Sequence, residues 1–364
     1  HSKIGGETRV FARAPSAVPV CLASAIPEIE AQARLFQLGV LRFTHEGKAF
    51  EIQDFFAADT DFYSIFSFGF LSGDPETALL NPESIVITEE TAIKIFGTGD
   101  ALGSTISIPF GDGSQELRVA GVVENIPRNS HFRFDVILSI NALVQQVNNQ
   151  PAGRGNFLQD PIYFNPFSYI LLAENTDPAA VETKIAAAVE QKWGTLYKNE
   201  GISRKYALQS LTDIHLKSNF EAEIANQGNL QYVYIFSVVA VLVLFIACFN
   251  FINLSTARSA KRAKEVGLRK MFGSLRPQLI RQFLNESVLL SLMGMALGIL
   301  LVILTLPAFN QLSGKAFSAN DLANAPSLAV LLLIMCLTGL IAGSFPAFVL
   351  SSFSPVATIR GRLG

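Results

Sequence analysis

Residues 232–254 read YVYIFSVVAVLVLFIACFNFINL, 23 positions without a charge. At about 1.5 Å rise per residue such a helix reaches ~34 Å, enough to cross the hydrocarbon core of a bilayer. Residues 287–309 and 328–350 have the same character, the latter inside an uncharged stretch that runs from Leu322 to Ile359. One such run is compatible with a buried helix of a soluble protein. Three in the last third of the chain are not, and the positive mean hydropathy agrees. The pattern predicts three membrane spans, at about 232–254, 287–309 and 328–350.

The formal charge of −2 conceals an asymmetry. Residues 1–231 hold 17 Lys and Arg against 27 Asp and Glu, a net of −10, and the remaining 133 residues hold 11 against 3, a net of +8. An acidic front and a basic back face different surroundings. Between the first two spans stand Arg258, Lys261, Arg262, Lys264, Arg269, Lys270, Arg276 and Arg281 against Glu265 and, at the membrane boundary, Glu286. The second connection offers only Lys315 and Asp321, and Arg360 and Arg362 follow the third span. Positive loops stay in the cytoplasm, so residues 1–230 and the 310–326 connection are expected outside. An exported domain ahead of the first visible span implies an upstream helix or signal anchor, and a further half is expected beyond the third span.

The front reads as an α+β domain. Thr176-Asp177-Pro178 is a helix start, followed by Val181, Ile185, Ala188, Val189 and Trp193 at helical spacing, which predicts a helix over 178–193. Helices are also expected at 27–38 and at 88–96, the latter ending at Gly97. Strand-like runs fall at 84–87, 104–108, 117–123, 132–140 and 169–172. Their irregular alternation with helices points to α+β subdomains rather than a doubly wound sheet.

Motifs for chemistry do not emerge. His1, His45, His131 and His215 are scattered singly, without metal-ligand spacing among themselves or with Cys21, Cys248 and Cys336. There is no Gly-x-Ser-x-Gly elbow and no phosphate-binding loop, since Gly97-Thr98-Gly99 lacks the lysine. The spans carry no ionisable residue in their interiors. Glu286 reads either as an interfacial carboxylate one helical turn beyond Gln282 or as a helix–helix contact needed for gating. Gly294 with Gly298, and Gly339 with Gly343, form two small-xxx-small pairs that allow close helix packing.

The 255–286 connection reads as a basic helical hairpin. A stalk continues the first span to Phe272, breaks at Gly273-Ser274, and restarts with Ser274 as N-cap and Pro277 in the first turn. A plain positive-inside anchor requires only the charges. Ala257, Ala260, Ala263, Val266, Gly267, Leu268 and Met271 add a small, apolar contact surface that headgroups do not need.

Here a resemblance becomes specific. Lys264-Glu265-Val266-Gly267-Leu268-Arg269-Lys270-Met271-Phe272-Gly273-Ser274, followed by Ile280-Arg281-Gln282-Phe283-Leu284-Asn285-Glu286-Ser287, resembles the cytoplasmic segment of the FtsX-like permease family, the membrane subunits of MacB-type and LolCE-type ABC transporters. The front is similar to the MacB-type periplasmic core domain through residues 84–92 with Phe96-Gly97, residues 121–132 and residues 211–216. The resemblance implies a 1–230 extracytoplasmic domain and a 231–364 transmembrane domain in a cell inner membrane. It implies a mechanical relay of movement from an ABC-type ATPase, which holds the ATP, to the outer domain, in export or envelope-substrate handling. It also implies a second permease half or a homodimer and leaves room for further periplasmic or outer-membrane components, and no nucleic acid is expected among the partners. This chain itself is not expected to be an enzyme. Lys264, Glu265, Gly267, Leu268, Arg269, Lys270 and Gly273 become the candidate ATPase-coupling interface, with Glu265 and Arg269 foremost. The competing reading is a membrane-anchored sensor, which requires an output module such as a kinase, a cyclase or an extended coiled coil, and the hairpin is not expected to hold one. A membrane-anchored hydrolase requires a catalytic cluster that the spacing does not show.

Overall fold

A computed structural model of the chain describes residues 2–4, 7–110, 113–127, 130–148, 157–163, 165–218, 220–224, 228–257, 259–313 and 317–352. They fall into two compact units, His1–Leu230 and Gln231–Gly364. Arg258, Lys315, Arg360 and Arg362, used above to orient the spans, lie outside the described residues. So do His1 and the side chains of Lys261, Arg262 and Lys264.

The first unit is built on one mixed sheet of eight strands: β1 (Ile29–His45), β2 (Lys48–Ala58), β3 (Phe70–Gly73), β4 (Ser84–Thr88), β5 (Thr105–Phe110), β6 (Gly113–Val123), β7 (Val136–Ser139) and β8 (Phe167–Leu172). The order is β8-β1-β2-β7-β4-β6-β3, with β5 also pairing on β6. β2 with β7 and β4 with β6 run parallel; the other pairs are antiparallel. Helices α1 (Ala17–Ala25), α2 (Glu89–Phe96), α3 (Ile140–Asn148) and α4 (Pro178–Asn199) accompany the sheet, making the mixed α/β domain the sequence predicts. Hydrophobic clusters lie on both faces. Ile85, Ile87, Leu117 and Val119 pack with Ala92 and Ile95 of α2, whereas Phe56, Phe62, Phe132 and Phe134 gather in the second cluster. β4 is accordingly buried at every position.

The helix ends follow their local chemistry. Asp177 accepts a hydrogen bond from Ala179 N–H at 3.1 Å and Pro178 occupies the first turn of α4. Thr88 caps α2, and Gly97 ends it at φ +75°. Val181, Ile185 and Val189 of α4 are buried against Val18 and Leu22 of α1, a third cluster.

The 27–38 helix is corrected: from Ile29 onward this segment is β1, the longest strand. Pro27 with Glu28 and Glu30 imitates a helix start, but Ile29, Ala31, Ala33 and Leu35 alternate at period two, the signature of a strand. Pairing on both edges, to β8 and to β2, overrides the local propensity. β1 joins β2 through Glu46-Gly47, both at positive φ (48° and 77°), a two-residue hairpin turn. The 132–140 strand shrinks to β7, because Ile140 already starts α3. Inside the domain, Arg34 and Asp59 form a bidentate ion pair at 2.7 and 2.9 Å with both side chains 8% exposed. Arg34 also donates to the carbonyls of Ser16 and Leu158, each at 3.1 Å.

The second unit holds α5 (Leu230–Ala257), α6 (Ser259–Met271), α7 (Arg276–Ser313) and α8 (Ala325–Ser352). Three of them, α5, α7 and α8, are long and apolar enough to cross a membrane. Phe236, Ile246 and Leu304 show how fully they present apolar side chains outward, at 69%, 68% and 67% exposure. A helix satisfies its own backbone hydrogen bonds, so such a surface is stable in lipid and not in water.

Candidate functional site

The hairpin is α6, a tight turn and the first three turns of α7. α6 ends in a Schellman motif: Gly273 N–H donates to Lys270 O at 3.1 Å and Ser274 N–H to Arg269 O at 3.0 Å, with Gly273 at φ +94°. Ser274 therefore closes α6 instead of capping α7, which corrects its expected role. The N-cap position of α7 is Leu275, whose N–H donates to Gln278 Oε1 at 3.0 Å. An apolar seam of Val266, Leu279, Phe283 and Ala347 holds α6 against α7 and α8, with Ile280 and Leu284 packed beside it.

Polar contacts lock the same geometry. Arg269 donates to Glu265 Oε1 at 2.6 Å and to Gln282 Oε1 at 2.5 Å, so one guanidinium spans both arms. Lys270 Nζ donates to the carbonyl of Ser351 at 2.7 Å, and Arg276 Nε to its hydroxyl at 3.4 Å. Two cations thus meet the C-terminal end of α8, where the helix dipole favours positive charge.

Of the seven expected coupling residues, the structure brings Glu265 and Arg269 into one ion pair and buries Gly267 in the seam side of α6. Lys270 turns inward to α8, Leu268 is exposed and Gly273 makes the turn. The Lys264 side chain lies outside those described. Sequence reasoning did not single out Phe272 or Leu275. With Leu268 and Met271 they form an apolar knuckle at the turn, Phe272 being 87% exposed. The signal was available: apolar residues flanking a Gly-Ser turn inside a run of cations.

The two glycine pairs differ. A Cβ on Gly339 meets Val288 Cα at 2.9 Å and one on Gly343 meets Ser287 Cβ at 2.6 Å, so α7 and α8 touch backbone to backbone there. Gly294 and Gly298, expected to pack, have nothing within 4 Å among the described residues. Glu286 lines a cavity of about 140 Å³ with Phe251 and Ser255 of α5, Ser287 of α7 and Pro346 of α8. It stands where three helices meet, at the membrane boundary.

Residues 6–188 match the MacB-like periplasmic core domain family, and residues 237–355 match the FtsX-like permease C-terminal family. This chain belongs to the MacB/FtsX-like permease family. Relatives include the macrolide export ATP-binding/permease protein MacB of Pasteurella multocida, 26% identical over 277 residues, covering 75% of this chain and 37% of that protein. MacB of Escherichia coli is 25% identical over 287 residues, covering 77% of this chain and 39% of that one. The chain thus spans less than two fifths of the length of these curated relatives. The crystal structure of the periplasmic region of MacB from Actinobacillus actinomycetemcomitans overlaps 49% of this chain and 79% of that one, with a TM-score of 0.35 and 11% identity.

In this FtsX-like permease the hairpin of α6 and α7 falls inside the permease match, and the eight-stranded sheet falls inside the core-domain match. Among the described residues, no group of three or more His, Cys, Asp or Glu side chains could hold a metal ion.

Proposed function

We infer that this permease is the membrane part of an ATP-driven (ABC) transporter, with its basic hairpin in the cytosol and residues 1–230 outside the inner membrane. ATP is held by a partner ATPase that docks on the hairpin. The observation that carries this reading is the knuckle of Leu268, Met271, Phe272 and Leu275, exposed among Arg269, Lys270 and Arg276. A segment that only anchors a membrane protein through its charges has no use for four apolar side chains at its tip, whereas a protein partner does.

The contacts behind the knuckle make it a lever. The Val266–Leu279–Phe283–Ala347 seam and the Lys270–Ser351 bond carry displacement of the tip into α7 and the end of α8 together. The close Gly343–Ser287 approach continues that coupling along the pair. The names of the relatives, which join ATP binding, permease and macrolide export, support efflux or envelope-substrate handling as the class of work. A second permease half or a second copy, and further periplasmic or outer-membrane components, complete the assembly.

The test is co-reconstitution of the full-length protein with an ATPase of this class. Phe272→Asp with Leu275→Asp is expected to abolish ATPase association while the protein still inserts in the membrane. Association at the unaltered level removes the hairpin from the interface.

A further inference from the structure

The first unit contains a cavity of about 170 Å³ whose lining is chemically one-sided. Among the described residues, three cationic side chains, Arg13, Arg204 and Lys205, line it and no Asp or Glu does. Val18, Leu22, Ile170, Ile185 and Phe220 also line it. Arg13 is half-buried, and among the described residues the partners of its guanidinium are neutral: Gln37 Oε1 at 2.9 Å, the carbonyl of Asn165 at 3.4 Å and the Phe167 ring at 4.6 Å. Two buried atoms of lining residues, Arg13 Nε and Ser168 Oγ, make no hydrogen bond. Burial holds the Arg13 pKa below its ordinary value.

A partly desolvated guanidinium without a carboxylate is costly, and its own unmade Nε donor adds to the cost. An anion relieves both, by a charge-assisted bond that Arg makes well. A second cavity, of about 360 Å³, shares Phe11, Ser168, Ile170 and Phe220 as a common wall and continues into Phe66 and Tyr169. Among the described residues its acidic lining residue, Glu223, disfavours an anion there, so an anionic head belongs in the first cavity, while Ile65, Phe66, Leu171, Leu211, Ile214 and Ile224 give the second cavity apolar surface for a chain.

We propose that this pair of cavities binds an anionic amphiphile, a carboxylate or phosphate head on a single alkyl chain, with the head at Arg13 and the chain along the shared apolar wall. The site lies wholly in the extracytoplasmic domain and does not depend on the ATPase reading. Trp193, the sole tryptophan, packs against the cluster containing Val18, Leu22 and Ile185 and reports on occupancy.

The test titrates the full chain in lipid nanodiscs with octanoate and octyl phosphate, following Trp193 emission against empty nanodiscs. Saturable binding of either probe is expected, at least tenfold tighter than octanol and at least tenfold weaker in Arg13→Gln. Ala207→Phe, at a position that lines both cavities, is expected to abolish binding with the Trp193 spectrum of the free protein retained. Preference between the two probes distinguishes a fatty-acid-like head from a phospholipid-like one. Equal binding of octanol, equal binding of inorganic phosphate, an unchanged affinity in Arg13→Gln, or a signal that only scales with lipid overturns the proposal.

Discussion

Arg269 donates to Gln282 across the turn at 2.5 Å, and through that bond the two arms of the hairpin are fixed to one another. The same guanidinium holds Glu265 one helical turn back, so this side chain joins the apolar seam and the Lys270–Ser351 bond in fixing the angle at which the knuckle is presented. Exposed ion pairs contribute only about 0.2–1 kcal/mol, so Arg269→Ala should change thermal stability by less than about 1 kcal/mol. Its effect should fall on coupling instead: ATP hydrolysis by the partner, measured with and without the permease, loses its response to the permease. Arg269→Lys keeps the charge but cannot serve both oxygens from a planar fork, and should recover only part of that response.

The glycine pairs predict an asymmetry. Gly343→Ala places a methyl 2.6 Å from Ser287 Cβ, which forces α7 and α8 apart. The expected loss is about 1–3 kcal/mol, read as a lower melting temperature in detergent. Gly294→Ala meets open space among the described residues and should be neutral or stabilise by up to about 1 kcal/mol, the ordinary gain of Ala over Gly inside a helix. Equal effects at the two sites would contradict the packing described.

His131 supplies a pH dependence. Burial pushes its pKa down to about 4, and its Nε2 lies 3.0 Å from Tyr169 Oη. In the unfolded chain the imidazole takes up a proton near pH 6.5, so the folded state is favoured fully above that value and loses stability as pH falls towards 4. Asp54, whose carboxyl is raised by burial and by Asp135, works in the opposite direction. His131→Leu isolates the histidine. Urea unfolding followed by Trp193 fluorescence should show the variant losing about 1–2 kcal/mol less than the parent over this interval, after allowance for partial solvent screening. Identical pH profiles would remove His131 as the cause.

The Arg34–Asp59 pair should behave as a buried unit. Asp59→Ala leaves a guanidinium in the interior and is expected to cost about 3–5 kcal/mol. Arg34→Met combined with Asp59→Leu should be less damaging than either change alone. A double-mutant cycle by urea unfolding measures the coupling, and additive losses would show that the two residues act independently.

The spans, the basic hairpin and the capped ends of α2 and α4 were legible because each follows from a local sum. Uncharged length, cation count and a cap residue need no knowledge of distant neighbours. The α+β class was legible for the same reason, whereas β1 carries two conflicting local signals. Its alternating Ile29, Ala31, Ala33 and Leu35 carried the strand signal, but Pro27 and two glutamates carried a helix signal of similar strength.

Hydropathy and charge along the chain thus sufficed for where the polypeptide meets lipid and which connection is basic, since those free energies add residue by residue. Partner choice does not add in that way. Lys270 reaches Ser351 and Gly343 meets Ser287 across 81 and 56 positions of sequence, while Gly294, with the same motif, meets nothing within 4 Å among the described residues. Arg13 likewise shares its cavity with Arg204 only because the folded domain closes that distance. Such juxtapositions depend on which helix faces and strand edges pair, and pairing is a property of the packed whole.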